Sequence, residues 1–74
     1  MPALPVVSGR EAVRAFQHFG WEFDRQRGSH MVLLKTGSIV SLSVPDHREV
    51  AKGTLRSLIR DAGITVEQFV SAIR

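Results

Sequence analysis

The chain contains no cysteine, which removes disulfides, thiolate zinc sites and cysteine nucleophiles together. No apolar run approaches the roughly 20 residues that a membrane span needs, so no membrane partner is expected. The opening Met1-Pro2-Ala3-Leu4-Pro5-Val6-Val7 lacks the basic start and long apolar core of a secretory signal, and the expected location is cytoplasmic. There is neither a P-loop nor a Gly-x-Gly-x-x-Gly fingerprint, and the serines lack nucleophile-elbow context, so no small-molecule cofactor is expected. His18, His30 and His47 are too far apart in sequence for the short spacing of a helical metal site, so no metal is expected either.

What is present reads as one small globular domain. With 74 residues, the expectation is a single domain over residues 1–74 with an extended segment at 1–7, too small to bury a deep site. Function must then lie in a shallow surface feature. Ten Lys and Arg against seven Asp and Glu give a net charge of +3 and a sequence pI near 10.7, which favours a polyanionic partner such as nucleic acid.

Ser8-Gly9-Arg10-Glu11 has capping-box spacing, which starts a helix whose apolar stripe is Ala12, Val13, Phe16 and Phe19. Gly20 is its left-handed stop, with Trp21 returning onto Phe16. Trp21, Phe23 and Arg25 then alternate with Glu22, Asp24 and Gln26, the period of a half-buried strand with an acidic outer face. A hairpin with Arg27-Gly28 as its loop pairs Arg25 with His30, Phe23 with Val32 and Trp21 with Leu34, which sets His30 on the core-facing side beside Arg25. A three-residue loop at Thr36-Gly37-Ser38 pairs Leu34 with Val40, Val32 with Leu42 and His30 with Val44. A second helix begins around Lys52-Gly53-Thr54, buries Leu55, Leu58, Ile59 and Ala62, and stops at Gly63. Thr65 to Gln68 forms another capping box, opening a short closing helix with Ile64 and Phe69 as its staple. The expected class is α+β: α-β-β-β-α with an extra C-terminal helix and a three-stranded antiparallel sheet. Its order resembles that of double-stranded RNA-binding folds, an analogy that does not by itself give function.

Histidine is the side chain best suited to proton transfer near neutrality, so three positions are candidates. His18 falls on the polar side near the end of the first helix, where solvation accounts for it. His47, in the loop after Pro45-Asp46, is read either as surface decoration or as an RNA contact. His30 is read either as a buried histidine satisfied by a backbone carbonyl or as the reactive group. Lys52 at a helix start is read as a phosphate contact or as plain helix initiation, with Gly-Thr as the cap. Arg25, Arg27 and Lys52 lie near the expected mouth between sheet and helices, where His30 is placed. The aromatic residues Phe16, Phe19, Trp21, Phe23 and Phe69 are assigned to the core rather than to base stacking.

Several stretches together resemble the HicA family of toxins. They are Gly20-Trp21 after the first helix, Gly28-Ser29-His30 entering the second strand, Val44-Pro45-Asp46-His47 ending the third, and Lys52-Gly53-Thr54-Leu55 through Asp61-Ala62-Gly63-Ile64 in the second helix. In order, they cover nearly the whole chain. The resemblance implies a double-stranded RNA-binding-like fold, cleavage of messenger RNA without a metal, and neutralisation by a HicB-type antitoxin that covers the site. It also implies that His30 is the catalytic histidine. With it, Gly28, Ser29, Arg25, Arg27, His47 and Lys52 are the expected RNA contacts. The alternative from another class is a non-catalytic RNA-binding module using the same basic surface, and a third is an adaptor that binds only protein.

Overall fold

The computed structural model describes residues 3–73. Met1, Pro2 and Arg74, the outermost positions of the expected domain, lie outside the described residues. The elements run α1 (Gly9–Gln17), β1 (Glu22–Arg27), β2 (His30–Leu34), β3 (Leu42–Pro45), α2 (Lys52–Asp61) and α3 (Val66–Ile73). The antiparallel sheet has the order β1-β2-β3, so the expected α+β architecture is the one observed.

The helix boundaries are where local chemistry sets them. Ser8 Oγ accepts from the Glu11 amide at 3.1 Å while Glu11 accepts from the Ser8 amide at 2.8 Å, closing the capping box of α1. At its other end Gly20 has φ +93°, and Trp21 N and Gly20 N donate back to the carbonyls of Phe16 and Gln17, the Schellman pattern. Thr65 and Gln68 repeat the capping box at α3. By contrast, Ala51 caps α2 without any side-chain hydrogen bond, so Gly53-Thr54 lies inside the first turn rather than forming a cap.

The core gathers Ala12, Val13, Ala15 and Phe16 of α1, Met31 and Leu33 of β2, Leu42 and Val44 of β3, and Leu55, Leu58 and Ile59 of α2. Phe69 of α3 closes it against Phe16, ring centroids 5.2 Å apart. Part of the extended N-terminal segment belongs to it too. Leu4 and Val7 are buried, and Val7 O accepts from Val50 N at 2.8 Å.

Both strand pairings differ from those expected. The hairpin loop is Gly28-Ser29, not Arg27-Gly28, so Arg27 pairs with His30, Gln26 with Met31 and Arg25 with Val32. A bulge at Asp24 then shifts the ladder, giving Phe23 with Leu33 and Glu22 with Leu34. Across the other edge His30 pairs with Pro45, Met31 with Val44 and Leu33 with Leu42. The expected turn at Thr36-Gly37-Ser38 forms, with Ser38 N donating to Lys35 O at 3.0 Å, but the connection continues through Ile39, Val40 and Ser41 before β3 begins.

Because the side-chain period in a strand is two, a one-residue shift exchanges the faces of β2. Met31 and Leu33 enter the core, and His30 and Leu34 are exposed. Phe23, assigned to the core from its alternation, is 48% exposed on edge strand β1.

Candidate functional site

At one end of the sheet, three chain segments are fastened by backbone hydrogen bonds. Gly28, at φ +57°, turns the hairpin in the left-handed region that glycine enters without steric cost. Ser29 O accepts from the Asp46 amide at 2.7 Å, which ties the turn to the end of β3. His47 O accepts from the Gly9 amide at 2.9 Å, which ties that end to the start of α1. A Cβ on Gly9 would stand 2.0 Å from Pro45 O, so only glycine lets the helix approach this closely.

His30 opens β2 inside this frame. It pairs with Arg27 on one side and Pro45 on the other, and its side chain is exposed. The expectation of a core-facing histidine is therefore corrected, and with it the reading of a buried, structural imidazole. Met31 and Leu33 hold the parity that enters the core cluster; Val32, at the parity of His30, is buried outside that cluster, and His30 at the strand end is exposed. An exposed imidazole held by a rigid strand end can exchange protons with a surface-bound ligand.

The other expected site residues divide. Arg27, cross-strand to His30, shares its face and is exposed. Arg25 is not opposite His30 as expected; it pairs with Val32 and forms an ion pair with the adjacent Asp24. Gly28, Ser29 and His47 are exposed within the fastened frame. Lys52 is exposed at the first residue of α2, five residues beyond His47 in the chain, with Val50 between them anchored to Val7. The first turn of α2 contains no acidic residue and no side-chain cap, so its amides and the helix dipole leave a positive end next to that lysine.

Two residues of this end had no role assigned from the sequence. Asp46 is the partner of the Ser29 carbonyl, and its Oδ1 accepts from Arg10 Nε at 3.3 Å. Arg10 belongs to α1, where the sequence marks it only as part of the Ser8 to Glu11 capping-box stretch. No local pattern links positions thirty-six residues apart, and only the Gly9 approach to Pro45 brings them together. Among the described residues, no group of three or more histidine or carboxylate side chains is arranged to hold a metal ion, and no helix is long and apolar enough to cross a membrane.

No curated protein matches. A solved structure described as a toxin-antitoxin complex from Streptococcus pneumoniae contains a chain with 29% identity and a TM-score of 0.71, covering 78% of this chain and 98% of its own. The family profile described as the HicA toxin of bacterial toxin-antitoxin systems matches residues 9–64, from the glycine that lets α1 approach Pro45 to the residue after the Gly63 stop of α2. That span holds the whole fastened frame and most of the chain: the protein belongs to the HicA toxin family, the toxins of toxin-antitoxin pairs.

Proposed function

We propose that this chain is an endoribonuclease that cleaves messenger RNA in the cytoplasm without a metal, using His30 for proton transfer. Its neutralising partner is a HicB-type antitoxin that covers the same surface. The observation that carries the reading is the exposed His30, flanked by Arg27 on a strand end that two backbone hydrogen bonds hold in place.

In such a cleavage the 2′-oxygen forms a bond to the adjacent phosphorus as the bond from phosphorus to the 5′-oxygen breaks. The 2′-hydroxyl loses a proton and the 5′-oxygen gains one. The nucleophile belongs to the substrate, which suits a family member without cysteine and with a solvent-facing imidazole. His30 handles one of those protons. Arg27 neutralises charge building on the phosphorane oxygens, with Ser29 and the Gly28 turn beside it. Arg25, His47 and Lys52 take flanking phosphates, Lys52 with help from the uncapped first turn of α2.

A fluorescence-quenched RNA tests this with the parental chain and His30→Ala. General acid-base catalysis contributes about 10² to 10⁴-fold, so the variant should lose at least a hundredfold in turnover. Because His30 is exposed, its melting temperature and RNA affinity should stay near parental. A folded His30→Ala chain that cuts at the parental rate would sink the mechanism. Stoichiometric binding without turnover by the parental chain would make the protein an RNA-binding module instead.

A further inference from the structure

Arg10 lies in the first turn of α1 with its side chain 74% exposed, yet it is not free. Its Nε donates to Asp46 Oδ1 at 3.3 Å, and the Asp46 amide donates to Ser29 O at 2.7 Å. Asp46 directly follows Pro45, the cross-strand partner of His30. Arg10 is thus tied, through one residue, to both strand ends that frame the candidate site.

A lone exposed ion pair contributes little to stability, so the consequence of this one lies in what it orients. A guanidinium has two edges that accept an anion in bidentate fashion, one through Nε and an Nη, the other through both Nη atoms. Asp46 engages Arg10 through Nε. Among the described residues Asp46 is the one partner shown, which leaves the end-on edge, Nη1 and Nη2, for a second anion. Asp46, only 24% exposed, is held at its own backbone by Ser29, so the fork is aimed from a fixed point.

The side from which Arg10 arrives decides which phosphate it can reach. Met31 Cε lies 3.1 Å from where a Gly9 Cβ would be, so α1 covers the sheet face that carries Met31. His30, one residue earlier in β2, belongs to the other face. Arg10 and His30 therefore meet the end of the sheet from opposite sides. An RNA strand crossing that end offers consecutive phosphates, one to each side.

We infer that Arg10 binds a backbone phosphate flanking the cleaved one through its Nη1/Nη2 edge, and that Asp46 is the positioning residue that holds its Nε edge. The inference rests on the RNA-cleaving reading of His30. Since the flanking phosphate is bound alike before and during cleavage, its loss should appear in KM rather than kcat.

The test is turnover of a quenched single-stranded RNA by the full chain over a range of salt concentrations. Arg10→Ala should raise KM on the order of tenfold, with kcat changed less than about twofold. It should also flatten the slope of log affinity against log salt by roughly 0.7 to 0.9. Arg10→Lys, which keeps the charge but not the fork, should retain the slope and still raise KM. Asp46→Ala distinguishes aim from charge: removing an anion beside RNA should tighten binding if only charge matters, whereas loss of aim raises KM. The double variant should then be no worse than Arg10→Ala alone. Arg60→Ala, whose side chain pairs with Asp61 at 3.7 Å in the last turn of α2, is the control and should keep the parental slope.

Parental KM and salt slope in Arg10→Ala, in a chain whose turnover still depends on His30, would overturn this inference alone. A loss in kcat with KM unchanged would overturn it too, and a lower or unchanged KM in Asp46→Ala would remove the positioning role. A parental chain that neither binds nor cuts RNA would take both readings down.

Discussion

The two ends of the sheet use their side chains differently. At the His30 end, order comes from the backbone: Ser29 O to Asp46 N, His47 O to Gly9 N, and a helix pressed so close to Pro45 that no side chain fits between them. The side chains there, His30, Arg27 and His47, are left in solvent. At the far end the backbone is bonded too, through the Gly20 stop and the Ser38 turn, but there a large side chain is also buried. Trp21 is 2% exposed, with Lys35 Nζ 5.9 Å from its ring, and beside it the connection to β3 projects a fully exposed Ile39. An end stabilised by burial has used its large side chains in packing. An end stabilised by main-chain bonds keeps its side chains available for chemistry, as a domain too small for a deep pocket requires.

The largest expected effect tests this division from the far side. Trp21→Ala should destabilise the fold by about 3 to 5 kcal/mol, read from denaturant melts, as expected when a large buried aromatic is truncated. Turnover per folded molecule should nevertheless stay close to parental, because Trp21 contributes to the core and not to the His30 end. If the folded fraction loses activity in proportion, the two ends are coupled and the comparison breaks.

Next in size is a substitution at the backbone-built end. Gly9→Ala places a methyl group 2.0 Å from Pro45 O and 3.1 Å from Met31 Cε, and the carbonyl cannot yield without moving the strand end. Overpacking of this kind costs typically 1 to 3 kcal/mol. Unlike Trp21→Ala, it should also lower turnover per folded molecule, since it strains the Gly9 to His47 bond that braces the site. Gly53→Ala, in the first turn of α2 with open space around it, should by contrast be neutral or slightly stabilising. Equal melting points for the two alanine variants would show that the close approach carries no strain.

The contrast between the ends also explains how much was legible in the sequence. Helix starts and stops are local events, and Ser8 with Glu11, Gly20, Gly63, and Thr65 with Gln68 announce them within a few residues. The faces of the sheet are not local. Met31-Val32-Leu33-Leu34 is apolar throughout, so periodicity cannot choose its buried side, and the bulge at Asp24 defeats a count carried back from the hairpin. The clean alternation Ser41-Leu42-Ser43-Val44 in and beside β3 was the better guide, since it puts Leu42 and Val44 in the core and leaves the seryl positions outside. Gly28-Ser29-His30 was recognisable as a motif although its orientation was misread. The contact of Arg10 with Asp46 spans 36 positions and exists only once α1 docks on the strand end, so no sequence window contains it.

The smallest expected effect compares two copies of one device, one at each kind of helix start. Glu11 accepts from the Ser8 amide at 2.8 Å, and Gln68 accepts from the Thr65 amide at the same distance, but only the first acceptor can be protonated. The Ser8 backbone hydrogen bond, followed by the Ser8 side chain, holds the Glu11 carboxyl below its ordinary value of 4.5. A carboxylate with a lowered folded-state pKa adds stability that is fully present above the unfolded value and disappears as pH falls through the folded one. Acid should therefore loosen the start of α1, at the His30 end, before it touches the Gln68 box of α3. Denaturant midpoints measured from neutral pH down through the carboxylate range should fall more steeply for the parental chain than for Glu11→Gln, which keeps an acceptor but has nothing to titrate. Glu11 is fully exposed, so the difference should be small. Parallel curves for the two proteins would mean that the Ser8 bonds are no stronger to the carboxylate than to an amide.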